Sequence, residues 1–198
     1  MPKTNYVLAE DPAVDLALAQ AMAEELEDYL VKDDLFRQMT VRTPAGDQRP
    51  QMSGSDLLVR LHRLHGERDS LTSAQRATLD QVQASVDATI KTLRTRFLER
   101  LERDMKSRLN SLRWFIDDCR QDRKRCRSEY PYEIRNRQRI EEILKVLGAD
   151  LGEDLVGQLR QIDERIQSMT VAGEFIWDER LQPLFPRGVY WYLYALPR

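Results

Sequence analysis

Apolar residues recur at helical spacing along most of the chain, and the longest uninterrupted stretch lies in the middle. Residues 67–130 contain neither glycine nor proline, the two residues that most often interrupt a helix. An apolar stripe with steps of three or four residues runs through this stretch: Leu79, Val82, Val86, Ile90, Leu93, Phe97, Leu101, Met105, Leu109, Leu112, Ile116 and Cys119. The pattern predicts one long helix over about residues 73–127.

The spacing of the stripe also predicts the form of this helix. From Leu79 to Leu112 the steps make three successive groups of eleven residues. An eleven-residue period is typical of a nearly straight or slightly right-handed helix and not of a leucine zipper. Residues 73–127 would extend about 80 Å as one helix, which exceeds the size of a compact domain of this length. We therefore predict a mainly α fold, an elongated helical bundle or a helix-mediated oligomer.

Residues 85–95 are the weakest part of the predicted helix. They are rich in β-branched residues, and Ser85 and Asp87 can hydrogen-bond the backbone in non-helical conformations. The phase of the apolar stripe nevertheless continues through this segment, whereas a loop would reset it. The sequence therefore favours a continuous helix, straight or bent.

Shorter helices are predicted before the long one. Asp11 followed by Pro12 is typical of a helix start, and the apolar spacing after it continues to about Val31. A second, short helix is expected over about residues 54–66. Thr72, three residues ahead of a glutamine, has the spacing of a capping box at the start of the long helix.

Two more helices are predicted after the long one. Pro131 is expected to start the first of them, and Gly148 to end it. Asp150 and Glu153 have the spacing of a second capping box, followed by an amphipathic helix to about Met169.

Two segments, residues 36–52 and residues 175–198, lack helical periodicity. The second is rich in aromatic and β-branched residues, which suit a short strand. We expect this tail to fold over its own core, because exposing so much aromatic surface would promote aggregation. The predicted organisation is a single helical domain over residues 1–198, with a small β or coil subdomain in which residues 36–52 pack with residues 175–198.

Charge is distributed unevenly along the chain. The net charge is −2, yet residues 106–139 carry 11 basic and 5 acidic residues. Several of the cations continue the helical spacing of the apolar stripe beyond Cys119. We predict an anion-binding or nucleic-acid-binding elbow over residues 120–139, comprising Arg120, Arg123, Lys124, Arg127, Arg135, Arg137, Arg139, Tyr130 and Tyr132.

This elbow has two main interpretations. Arginine guanidinium groups match phosphate oxygens, and tyrosines can stack on bases, which favours nucleic acid as the ligand. The alternative is pairing within the chain or across a dimer, with the acidic residues of the first helix and its end, Glu24, Glu25, Glu27, Asp28, Asp33 and Asp34. A solvated basic surface without a binding role is the third interpretation.

A weaker pattern suggests magnesium. Asp118 and Asp122 are four residues apart and would share one helix face, and Glu24 and Asp28 form a second such pair. Paired helical carboxylates can hold the metal ion that carries a diphosphate. These acidic residues lie away from the apolar stripe, however, where carboxylates commonly serve solubility.

The two cysteines are expected to be buried and unpaired. Seven residues separate Cys119 from Cys126, and on a continuous helix this places their Cα atoms about 10.5 Å apart. A disulfide requires no more than about 7 Å. The same distance prevents both thiolates from sharing one zinc ion, and His62 and His65 are the only histidines. No metal or cofactor is predicted.

The function that these patterns favour is non-enzymatic. The sequence contains no nucleophile–base set, no phosphate-binding glycine loop, no signal peptide and no apolar run long enough for a membrane span. We predict a cytoplasmic, oligomeric interaction or scaffold protein that assembles through its long helix with a protein partner or a second copy, away from membranes. A helical nucleic-acid-binding protein is the alternative, and a magnesium-dependent, all-helical diphosphate hydrolase is the second alternative.

Overall fold

Helices dominate the computed structural model, which describes residues 11–198, and the predicted mainly α fold is confirmed. Residues 1–10, where no signal peptide is expected, lie outside the described part. The helices are α1 (Pro12–Val31), α2 (Gly54–Gly66), α3 (Ser73–Thr92), α4 (Arg94–Gln121), α5 (Arg123–Glu133), α6 (Arg135–Leu147) and α7 (Glu153–Met169).

The described chain divides into two compact units, one ending at Asp104 and the other beginning at Met105. The division falls within the sequence of α4. Compact units can belong to one domain, so the single domain over residues 1–198 stays a prediction.

Two of the predicted helix starts are present. The Asp11 side chain accepts a hydrogen bond from the Ala13 backbone N–H at 2.7 Å, so it caps α1. At α3, Thr72 accepts from the Gln75 backbone N–H while the Gln75 side chain accepts from the Thr72 backbone N–H, which completes the capping box. Local side-chain chemistry therefore determines where these helices begin.

A long helix is present in the apolar stripe as α4, with 28 residues, but the prediction of one continuous helix over residues 73–127 is wrong, because this range is divided among α3, α4 and α5. Single residues separate it from its neighbours: Leu93 lies between α3 and α4, and Asp122 lies between α4 and α5. Leu93 has φ −113° and ψ 33°, and Asp122 has φ −136° and ψ 95°. The stripe is buried on either side of Leu93, but Ile90 and Leu93 are only half-buried. The packing force that would hold the helix continuous is therefore weakest there.

Two predicted helix starts are wrong. Pro131 does not start a helix but lies inside α5, which begins eight residues earlier because Asp122 caps it. The Asp150–Glu153 capping box does not form, since Gly152 occupies the N-cap position of α7 without a side-chain hydrogen bond. The end of α6 at Gly148 is as predicted, and its φ of +51° is a conformation that glycine adopts without steric cost.

Short antiparallel strands complete the described structure. The pairs are β1 (Arg37–Gln38) with β4 (Gln51–Met52), β2 (Val41–Thr43) with β3 (Gly46–Gln48), and β5 (Thr170–Ala172) with β6 (Ala195–Pro197). Residues 37–52 thus pair among themselves, and the end of the aromatic tail pairs with the segment that follows α7. Packing of residues 36–52 with residues 175–198 stays a prediction.

In the unit ending at Asp104, α1 packs against α2 and α3. A buried carboxylate, Asp15 of α1, ties α1 to α2. Its two oxygens accept hydrogen bonds from Arg63 at 2.7 and 2.8 Å, and Arg60 also pairs with it. A buried charge is tolerated when it is paired and hydrogen-bonded in this way.

In the unit beginning at Met105, the aromatic tail folds inward, as expected. Trp177, Phe185 and Tyr192 are almost completely buried. The Trp177 indole Nε1–H donates to the Pro131 carbonyl at 2.9 Å, and the Tyr130 hydroxyl donates to the Tyr192 carbonyl at 2.9 Å. These bonds fasten the tail to α5. Among residues 11–198, no helix has both the length and the apolar content needed to cross a membrane.

Candidate anion-binding site

Cys119 and Cys126 form a disulfide, so the prediction that they cannot pair is wrong. Their Cα atoms are 4.7 Å apart, whereas the prediction assumed a continuous helix between them. Asp122 leaves the helical conformation, and its side chain accepts a hydrogen bond from the Arg125 backbone N–H at 2.9 Å. An aspartate is a preferred N-cap residue, so Asp122 itself was the sequence signal for this break.

A pocket of about 350 Å³ lies beside the disulfide. Its lining comes from the end of α4, the start of α5, the end of α7 and the C-terminal strand. The apolar part of the lining includes Ile116, Met169 and both cysteines. Its charged part consists of arginines, and we call the site the arginine pocket after Arg120, Arg123, Arg165 and Arg198.

Two of these arginines have unused hydrogen-bonding capacity. The side chains of Arg120 and Arg123 are exposed, and neither guanidinium makes a hydrogen bond or an ion pair with any of residues 11–198. Arg165 pairs with Asp117 through one terminal nitrogen, while its buried Nε finds no acceptor in the described part of the chain. The pocket therefore combines several guanidinium donors with few internal acceptors, as expected of an anion site.

Arg137 of the predicted elbow has a structural role instead. It is only 5% exposed, and it donates to the two Asp163 carboxylate oxygens at 2.7 and 3.0 Å and to Glu141 at 2.8 Å. Its guanidinium also lies 4.8 Å from the centre of the Tyr192 ring. Burial opposes the charged form most strongly, but the hydrogen bonds to Asp163 and the negative charges of Asp163 and Glu141 together outweigh it and raise the pKa of Arg137.

The tyrosines of the elbow are also engaged within the chain. Tyr130 is buried, and burial raises the pKa of its hydroxyl, so its ring is not available to stack on a base. Tyr132 is half-buried, with the Arg135 guanidinium 6.0 Å from the centre of its ring. Arg135 also donates from Nε to the Tyr132 carbonyl at 3.1 Å.

The remaining members of the elbow differ in exposure. Lys124 and Arg127 are exposed on α5, and Arg127 donates from Nε to the Pro197 carbonyl at 3.3 Å. Arg139 is half-buried on α6. The structure thus brings Arg120 and Arg123 together with Arg165 and Arg198, which the sequence pattern missed. The available sequence signal for Arg165 was weak, namely its position beside the apolar stripe of α7.

The acidic residues near the end of α1 have partners in their own compact unit. Arg37 donates to Glu25 and to Asp28, both at 2.7 Å. Asp33 accepts from Arg100 at 2.7 Å and from Arg103 at 2.9 Å. Hydrogen bonds from Lys32 and Arg37 lower the pKa of Asp28.

The two predicted magnesium ligands, Asp118 and Asp122, do not lie on one continuous helix. Asp118 is exposed on α4, whereas Asp122 caps α5. Within residues 11–198, no group of three or more histidine, cysteine, aspartate or glutamate residues could hold a metal ion. His65 contacts the Gln83 side-chain oxygen through Nε2 at 2.8 Å.

No model of a protein family, no curated protein and no solved structure matches this chain.

Proposed function

We propose that this protein is a non-enzymatic interaction protein that binds the phosphate groups of a nucleic acid at the arginine pocket. One observation carries the proposal: Arg120 and Arg123 are exposed at a concave site and unpaired among residues 11–198. A guanidinium can donate two parallel hydrogen bonds to a phosphate, so two such groups can hold one phosphate from two sides.

The surroundings of the two arginines support the same ligand. The apolar lining lowers the local dielectric constant, which strengthens the attraction between a guanidinium and an anion. The first turn of α5 adds the backbone N–H groups of Arg123 and Lys124, whereas the Asp122 carboxylate accepts the Arg125 N–H and offsets the helix dipole. Lys124 and Arg127 extend the positive surface along α5 and would contact neighbouring phosphates.

The recognition expected of this site is independent of base sequence. Tyr130 is buried and Tyr132 is half-buried under Arg135, so the site offers phosphate contacts without an exposed stacking platform. Binding should therefore weaken steeply as salt increases, because neutralised phosphates release counterions.

Charge reversal tests this function. The double variant Arg120→Glu/Arg123→Glu should reduce affinity for a short fluorescein-labelled DNA duplex by about tenfold or more. It should also reduce the slope of log affinity against log salt concentration by the amount expected for the loss of about two phosphate contacts. Fluorescence anisotropy titrations at several salt concentrations measure both quantities. Lys91→Glu/Arg94→Glu is the matched control, because both side chains are exposed, make no hydrogen bond or ion pair with other side chains among residues 11–198, and lie in the other compact unit.

Two results would contradict the proposal. Equal losses in the control variant would mean that overall charge, and not the pocket, attracts the duplex. Binding by the unmodified protein that does not change with salt would exclude phosphate contacts as its source.

A second candidate function, assembly with a second copy, is favoured by Trp114. The apolar stripe of α4 is buried, so assembly through α4 has to use its outer face. Trp114 lies on that face and is 74% exposed. Tryptophan is one of the residue types enriched among the residues that dominate interface energies.

Light scattering after gel filtration tests this second function. The unmodified protein should have the mass of a dimer or larger oligomer, and Trp114→Ser should have the mass of one chain. A Trp114→Ser variant with an unchanged mass, or an unmodified protein of single-chain mass at high concentration, would contradict assembly through this face.

The proposal also includes a cytoplasmic location and no cofactor. In the cytoplasm a disulfide such as Cys119–Cys126 is expected to form and break with the redox state of the cell.

A further inference from the structure

The segment that carries the disulfide is compatible with two backbone arrangements that exclude each other. In the disulfide form, the Cα atoms of Cys119 and Cys126 are 4.7 Å apart and the helix is broken at Asp122. In an unbroken helix the same atoms would lie about 10.5 Å apart, too far for a disulfide. Neither glycine nor proline lies between these cysteines, and Asp122 alone separates α4 from α5. The disulfide therefore requires the break at Asp122, whereas the sequence also permits an unbroken helix when the disulfide is absent.

We propose that the Cys119–Cys126 disulfide is a redox switch that forms the arginine pocket when oxidised and dismantles it when reduced. This inference rests on the proposed function for its ligand. The bond holds the start of α5 beside the end of α4, so that Cys126 lines the same cavity as Cys119 and the two arginines between them. Reduction allows Asp122 to return to the helical conformation, which moves Cys126 away from Cys119 and separates the two sides of the pocket.

The chemistry of the switch is thiol–disulfide exchange with a dithiol as reductant. One thiolate of the dithiol attacks a cysteine sulfur, the protein S–S bond breaks, and a mixed disulfide forms. The other cysteine leaves in this first step as a thiolate. The second thiol of the dithiol then attacks the dithiol's own sulfur in the mixed disulfide and displaces the cysteine that was attacked first. The protein gains two thiols, with two electrons and two protons, and the dithiol leaves as its cyclic disulfide. Both cysteines line the pocket, which gives a small dithiol a route to the bond.

The backbone hydrogen bonds identify which N–H groups should gain an acceptor when the disulfide is reduced. Arg123 and Lys124 lie in the first turn of α5, where backbone N–H groups have no acceptor within their own helix. In a continuous helix they would donate to the carbonyls of Cys119 and Arg120, four residues earlier. The hydroxyl of Tyr130 holds the later part of α5 to Tyr192, so we expect the rearrangement ahead of Tyr130.

Two measurements on the full chain test the switch. The first is anisotropy of the labelled DNA duplex with the oxidised protein, the dithiothreitol-reduced protein and the variant Cys119→Ser/Cys126→Ser. Reduction should weaken binding by about tenfold or more. With or without dithiothreitol, the variant should bind as weakly as the reduced unmodified protein. Reoxidation should restore binding to the unmodified protein and not to the variant. The second is amide hydrogen exchange, in which Arg123 and Lys124 should become more protected on reduction.

The outcomes separate the switch from the proposed function. Equal duplex binding by oxidised and reduced protein, with binding still lost in Arg120→Glu/Arg123→Glu, would overturn the switch and leave the function standing. Increased protection of Arg123 and Lys124 on reduction, without duplex binding by either form, would support the switch and overturn the function. Unchanged protection of these amides on reduction would overturn the switch whatever the binding.

Discussion

Replacing Trp177 by alanine is expected to lower the free energy of unfolding of the unit beginning at Met105 by about 3–5 kcal/mol. The Trp177 side chain is 1% exposed and packs edge-on against Phe175 and Phe185, with ring centres 6.3 and 5.4 Å away. The substitution removes these contacts, leaves a cavity and leaves the Pro131 carbonyl without the indole donor it has at 2.9 Å.

Urea denaturation followed by circular dichroism measures this loss. Val156→Ala is the control, because this apolar side chain belongs to the same unit and is 49% exposed. We expect that control to change stability by no more than about 0.5 kcal/mol, as is usual for surface substitutions. Similar losses in the two variants would contradict the described burial of the aromatic tail.

Replacing Arg137 by methionine is expected to lower the free energy of unfolding by about 3–5 kcal/mol, because it leaves carboxylates without their buried counter-charge. Arg137 is the partner of Asp163 and Glu141, and it also covers the ring of Tyr192. Methionine keeps most of the apolar stem, so the loss reports mainly on the charge and its hydrogen bonds.

Two further variants, measured in the same denaturation experiment, make this prediction specific. Arg125→Met removes an exposed ion pair with Glu129, and exposed pairs of this kind contribute at most about 1 kcal/mol. Arg137→Met/Asp163→Leu removes both charges and should recover part of the lost stability. A double variant no more stable than Arg137→Met would mean that the lost packing of the arginine, and not the unpaired carboxylate, causes the effect.

The helix starts show what local sequence can predict. Asp11 and Thr72 cap α1 and α3 as expected, since the capping bonds join residues two or three positions apart. The apolar stripe predicted the long helix α4, and its members from Phe97 to Cys119 are buried. Periodicity finds a buried helix face because it depends only on the helical repeat.

The break at Asp122 shows where the same reasoning fails. The apolar stripe ends at Cys119, but arginines continue its helical spacing and helix-compatible residues continue across Asp122, so periodicity predicted no break. Asp122 could equally be an exposed helical residue or an N-cap, and the sequence pattern favoured the first. The disulfide decides in favour of the second, because its two Cα atoms have to approach within 4.7 Å.

The arginine pocket could be predicted only in part. The cations of residues 120–127 were visible as a cluster in sequence, but Arg165 and Arg198 reach them from α7 and from the residue that follows β6. Arg137 belonged to the same cluster in sequence and is instead enclosed by Asp163, Glu141 and Tyr192. A charge pattern does not reveal whether a cation meets an internal carboxylate.

The sequence by itself therefore determined the helical class, the buried face of α4 and the capped starts of α1 and α3, because these depend on propensity, periodicity and contacts between near neighbours. Only the tertiary structure decided that the helix breaks at Asp122, that Cys119 and Cys126 pair, and which arginines remain available to a ligand. These features depend on contacts between residues on different elements. Local preferences do not determine these contacts, because many folds with the same helices would bring different residues together.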